Sequence, residues 1–207
     1  MWLRERVGPT GWVMATDVET HFLDTLGSAN LEVRRHDIIS DELPDRAFDL
    51  VHIRAVLERL QPSLRVERWS VWWAPSSRAV CSWPSPGISL MDAGKWSVVG
   101  PRDVIVKVSA SLLKALPVDM FYGRRLATDI QACGLVDVGS EGRVGLIRGA
   151  STTSKVWPLV WATIGERLVA SGGLSADELE HFLALHDDPQ FTWLGPVMMA
   201  AWGQWPG

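Results

Sequence analysis

The chain has 207 residues, enough for one domain with a sizeable core, and its 47% hydrophobic and 21% charged residues are ordinary for a soluble globular protein. A formal charge of −4 gives no electrostatic case for nucleic acid, which needs a basic face. Two cysteines make no disulfide framework, and no apolar run is long enough for a signal peptide or a membrane span, so a cytoplasmic chain with reduced thiols and no membrane partner is expected.

"MWLRERVGPTG" predicts the last turns of a helix, stopped at Gly8 and Pro9. "WVMATD" (12–17) predicts a short buried strand that ends in an acid, and 18–26 has apolar residues at helical spacing. Leu31 and Val33 alternate with charge and predict a strand nearer a sheet edge. "AFDLVHIR" (47–54) predicts another buried strand, and "AVLERL" (55–60) the start of a helix. Strands and helices alternating through short loops argue for an α/β fold with a parallel sheet, whose ligands bind beyond the C-terminal strand ends.

Residues 62–87 interrupt this pattern. They carry Trp69, Trp72, Trp73 and Trp83 with neither helical period nor strand alternation, and are expected to be irregular. Beyond them, 102–116 and 122–134 predict helices, the second stopped by Gly134, and 135–149 one long strand or a bent pair. A helical insertion is expected over 150–192. It comprises a helix over 155–173 and a second one over 175–188, opened by a capping box in which Ser175 precedes Glu178 by three residues. Residues 195–205 predict a last strand, and the whole of 1–207 reads as a single domain.

Several side chains could carry chemistry. Asp17, ending a buried strand, suits bidentate bonding to ribose hydroxyls, or equally the capping of the segment from Val18. Asp37 could accept from an adenine amino group while Ile38 packs on the ring; its bland alternative is a loop acid. His181 and His186, with Asp187 and Asp188, weigh far more toward helix-surface polar residues than toward a metal site, and no metal is expected. Met198, Met199 and the tryptophans at 157, 161, 193, 202 and 205 read as core or packing residues. The Arg34-Arg35 and Arg124-Arg125 pairs read as solvated surface.

"ATDVET", then "RRHDI", then "FDLVHIRAVLERL", with the later "YGRRLATDIQACGLVDVGSEGRV", together resemble the class I S-adenosylmethionine-dependent methyltransferases over residues 1–60 and 119–205. The resemblance implies a Rossmann-like, mostly parallel sheet with an antiparallel last strand. It also implies S-adenosylmethionine as cofactor. Asp17 with Val18 would lie at the ribose and Asp37 with Ile38 at the adenine. The segment from His52 through Arg54 to Val56 would pass the methionine end. The reaction implied is methyl transfer to a small-molecule acceptor, by an in-line displacement driven by proximity and orientation rather than by a universal catalytic base. The 52–56 segment and the insertion would shape the acceptor pocket.

Two of the family's elements are not recognisable. The first strand and its D-x-G-x-G-x-G loop would precede the helix that "MWLRERV" looks like the end of, so they would lie upstream of Met1. Two to four hydrogen bonds to the cofactor's charged end, at roughly 1.5–3 kcal/mol each, come to about 3–12 kcal/mol, against about 8 kcal/mol for a micromolar ligand. Weak or no cofactor binding by this chain is therefore expected. The strands flanking the first one would have to pair directly or leave their edges open. The family's fifth strand, after a Pro-Gly-Gly turn, is needed where the tryptophan-rich stretch stands. Runs of Trp, Arg, Ser, Pro and Cys are what a GC-rich gene gives when read out of frame. GC-rich codons chosen for 73–85 and shifted by two nucleotides can give "GAQQPGGVLVAES", consistent with a frame-shifted segment near 62–87; the alternative is a native tryptophan-rich surface loop. The alternative function is a non-catalytic remnant, a pseudoenzyme or interaction module, forming a homodimer through exposed strand edges.

Overall fold

The computed structural model describes residues 2–23, 25–27, 29–44, 47–61, 63–65, 78–82, 107–108, 110–111, 118–119 and 121–206. The chain forms two compact units, Met1–Asp45 and Arg46–Gly207.

The N-terminal unit holds helix α1 (Trp2–Val7) and strands β1 (Val13–Asp17) and β2 (Leu31–Arg35). Gly8, at φ 73, ends α1 in the left-handed region, which only glycine enters without strain. β1 and β2 run parallel, with Val13 opposite Leu31 and Asp17 opposite Arg35. The helix expected over 18–26 is not found among its described residues, of which His21, Phe22, Leu23 and Thr25 lie in turns. The reason is tertiary. Most helix stability comes from burying an apolar face, and Phe22, in the middle of that face, is 78% exposed.

The C-terminal unit is built on a four-stranded sheet of β3 (Leu50–Ile53), β4 (Arg78–Ser82), β5 (Val136–Arg148) and β6 (Thr192–Gln204). Their spatial order is β3-β4-β6-β5. β3 and β4 are parallel, and β6 enters antiparallel between β4 and β5. Parallel strands ending in a reversed last strand agree with the fold class expected from the sequence. Among the described residues β1 is paired with β2 and β3 with β4.

β4 corrects the reading of 62–87 as irregular, because Arg78–Ser82 lies hydrogen-bonded between β3 and β6. A strand paired on both sides belongs to the sheet interior and need not alternate apolar with polar residues. Trp69, Trp72, Trp73 and Trp83 lie outside the described residues. In the segment 102–116, Lys107, Val108, Ala110 and Ser111 are helical, and the remainder also lies outside them.

Two bulges shape the β5–β6 ladder. Between Val136 and Gly139 the extra residue is on β5, beside Asp137 at φ 51; between Val144 and Leu146 it is on β6, at Gly195 and Pro196. Proline has no N–H for the ladder, which is why the second irregularity falls there.

Among the described residues the unit also holds helices α2 (Leu126–Ala132), α3 (Val156–Ala170) and α4 (Ala176–Leu185). The capping box of α4 forms as expected: Ser175 Oγ accepts the Glu178 N–H at 3.1 Å and Glu178 Oε2 accepts the Ser175 N–H at 2.9 Å. The core gathers Val108, Ile147, Trp161, Leu168, Phe182 and Trp193. Trp157, Trp161, Phe182, His186 and Trp193 form a closed circuit of rings with centroid spacings from 4.8 to 6.1 Å. His186 is thus a core residue, 1% exposed, and not a helix-surface one. Its Nδ1–H donates to the Phe182 carbonyl at 2.9 Å. Met198 and Met199 are half-buried. No helix among the described residues is long and apolar enough to cross a membrane.

Candidate functional site

The residues singled out from the sequence fall on both units. In the N-terminal unit, Asp17 is the last residue of β1 and is exposed, as is Val18. Its Oδ1 accepts the Glu19 N–H at 3.0 Å, and its carbonyl accepts the His36 N–H at 2.9 Å. The second bond ties the end of β1 to the residue just after β2, so Asp17, His36 and Asp37 are brought to one end of the small parallel sheet. Asp37 and Ile38 are half-buried there. Asp37 Oδ1 accepts the Ile39 N–H at 2.8 Å, and the Asp37 N–H is taken by Asp41 Oδ2 at 2.8 Å. That bond and the Ser40 hydroxyl hold the Asp41 carboxyl below its ordinary value. Both acids therefore brace their own turns, the structural role weighed for Asp17, while keeping further acceptor capacity, since an ionised carboxylate offers about four lone-pair sites.

His36 was not singled out from the sequence. It is 5% exposed, and its Nε2 is buried without a hydrogen-bond partner among the described residues. The one available sequence signal was its position between a strand end and Asp37.

In the C-terminal unit, His52 and Arg54 lie at the C-terminal end of β3 and are both exposed. Partial desolvation lowers the His52 imidazole from its ordinary value, and the Arg54 charge adds to this. Ala55 follows at φ 58, a left-handed conformation that costs an L residue on the order of 1 kcal/mol. The helix expected over 55–60 shrinks to a single 3-10 turn, Leu57–Arg59.

Arg65 takes over the carbonyls of that turn. Its Nε donates to the Leu57 carbonyl at 2.7 Å and its Nη2 to the Glu58 carbonyl at 3.2 Å. The Asp119 N–H donates to the same Glu58 carbonyl at 2.9 Å. The Arg65 guanidinium is 3% exposed, pairs with Asp119 at 3.0 Å and lies 4.2 Å from the Tyr122 ring centroid. Arg125 also pairs with Asp119. Proline at position 62 offers no N–H to the Glu58 carbonyl, so the α-helical bond that would continue the turn cannot form.

Within this clamp, Glu58 is 4% exposed and its Oε2 has no hydrogen-bond partner among the described residues. Burial pushes its carboxyl up to about 7, against smaller opposing effects of backbone hydrogen bonding, Arg59 and Arg65. Neither Glu58 nor Arg65 was singled out beforehand, because a charged pair within "AVLERLQPSLR" reads as a solvated helix face. No group of three or more His, Cys, Asp or Glu side chains among the described residues could hold a metal ion.

No protein-family profile matches the chain, and no curated protein sequence is significantly similar to it. Solved structures do resemble it. The YcgJ protein from Bacillus subtilis superposes with a TM-score of 0.55 at 12% identity, over 95% of this chain and 83% of that one. A looser likeness, TM-score 0.42 at 18% identity over 92% and 80% of the two chains, is to an S-adenosylmethionine-dependent methyltransferase from Mesorhizobium loti. Another, TM-score 0.47 at 11% identity, is to phosphoethanolamine N-methyltransferase 2 of Haemonchus contortus; it covers 94% of this chain and 44% of that one. With its parallel strands and reversed last strand, the chain has a Rossmann-like α/β fold.

Proposed function

We propose that the chain is an S-adenosylmethionine-dependent methyltransferase acting on a small-molecule acceptor, with its cofactor held by Asp17, Val18, Asp37 and Ile38. The observation that carries this reading is the pair of acids at the end of the β1–β2 sheet. Each spends one oxygen on its own turn, and among the described residues the other oxygen has no partner. A ribose diol and an adenine amino group are donors, and acceptors are what they need, so these residues fit the cofactor. When bound, the cofactor supplies an electrophilic methyl group. The chain's own part is then to bind, to orient and to exclude water.

The non-catalytic reading has an observation in its favour too. The same two carboxylates serve their own turns, and among the described residues of this unit no apolar side chain is buried. Calorimetric titration with S-adenosylmethionine separates the two. Asp17→Asn is the informative variant, because an asparagine oxygen still accepts the Glu19 N–H while the charge and the second acceptor are lost. Micromolar binding that weakens about tenfold or more in Asp17→Asn, at unchanged melting temperature, supports the enzyme. Absence of any heat of binding supports the remnant.

A further inference from the structure

β5 ends the four-stranded sheet. One edge hydrogen-bonds to β6, and among the described residues the other edge has no strand partner. Residues 140–146 are exposed without a break, including Val144 at 50% and Leu146 at 51%. A long edge bearing apolar side chains is a template for another strand, and such edges are ordinarily blunted. The bulge at Asp137 limits this one at its start, and beyond it the extra residue of the second bulge is on β6, so β5 itself runs on regularly.

The residue types along this edge decide which strand fits. Around Gly142 the sequence "VGSEGRVGL" (138–146) is self-complementary: glycine mirrors glycine, an apolar residue an apolar one, and an acid a base, with Ser140 against Val144 the one unlike pair. Gly139 mirrors Gly145, Glu141 mirrors Arg143, and Val138 mirrors Leu146. We propose that the free edge of β5 pairs antiparallel with the β5 edge of a second copy of this chain, on a two-fold axis through Gly142. Glu141 then faces the partner's Arg143, and Arg143 the partner's Glu141. Val138 meets the partner's Leu146 on the opposite face.

Within one chain the Arg143 guanidinium already lies 3.0 Å from Glu141 Oε1, on the exposed surface. Two copies close four alternating charges around the axis. The same charges fix the register. A slip of two residues in one direction sets Glu141 opposite Glu141, and in the other Arg143 opposite Arg143. A slip of one residue removes both charge pairs. The pattern is thus self-complementary in a single alignment, which is what an isologous contact requires. The proposal does not depend on any cofactor.

Sedimentation velocity on the full chain over a concentration series tests it. The wild type is expected to show a reversible dimer. Glu141→Arg and Arg143→Glu alone each set like charges opposite one another, and should weaken self-association by about tenfold or more, with unchanged circular dichroism. Mixing the two variants sets unlike charges opposite again at every position and should restore the dimer. So should the doubly substituted E141R/R143E chain, which guards against a folding defect as the cause. A wild type that stays monomeric throughout, single variants that dimerise like the wild type, or a mixture that fails to re-form dimers would each overturn the proposal.

Discussion

Glu58 sits where a carboxylate is costly. It is 4% exposed, and Oε2 has no hydrogen-bond partner among the described residues. Unfolded, the group ionises near 4.5; folded, it keeps its proton to about 7. Below the first value both states are protonated and the group contributes nothing. Between the two, only the unfolded chain ionises, so native stability falls as pH rises. Above about 7 the full cost is present, on the order of 3 kcal/mol. Glu58→Gln should therefore match the wild type near pH 4 and exceed it at pH 8. Urea midpoints at both pH values check this; an identical difference at the two would show that the carboxyl is solvated. Burial also explains which candidates stand out in the sequence. Asp17 and Asp37 stand out because a strand end is visible in an apolar run. His36, Glu58 and Arg65 do not, because their importance lies in being enclosed, and enclosure depends on partners far along the chain, such as Asp119.

Elements that carry their own signals were legible. α4 was announced by Ser175 and Glu178, and β5 and β6 by long runs with turn signals beside them. The segment 18–26 had the helical period but lacked an apolar surface to lie on, as Phe22 shows. β4 failed the other way: five residues paired on both sides need no pattern of their own. That strand bears on the expected frame shift, since residues of the present frame form a strand paired on both sides within the stretch. Val80 pairs with His52 on one side and Trp202 on the other. Whichever way its N–H points, it meets a neighbouring strand. Val80→Pro removes that donor from a doubly paired strand and should destabilise the unit by about 3 kcal/mol or more, read from thermal unfolding. A variant that melts like the wild type would show that 78–82 makes no strand, and would return the stretch to an out-of-frame origin.

At the scale of the whole chain, the apolar core is unevenly shared. Every buried apolar side chain among the described residues lies between Ile53 and Ala201, and none lies in the N-terminal unit, where Trp2 and Phe22 are 66% and 78% exposed. A parallel strand pair without a buried face has little to hold it, since hydrogen bonds alone return about 1 kcal/mol each. The strands that position Asp17 and Asp37 therefore belong to the least stable part of the fold. Hydrogen exchange should find the β1 and β2 amides exchanging at least about a hundredfold faster than those in the β5–β6 ladder, through local opening that leaves the larger unit folded. The functional proposal then gains a second readout. A ligand that binds only the closed form at a hundred times its dissociation constant adds about 2.7 kcal/mol, close to a hundredfold slowing. If S-adenosylmethionine is held at Asp17 and Asp37, that slowing should appear in β1 and β2 and leave the β5–β6 amides unchanged. Slowing confined to the C-terminal unit would place the ligand elsewhere, and β1–β2 amides that start out as protected as β5 and β6 would mean that the N-terminal unit draws its stability from a source other than a core of its own.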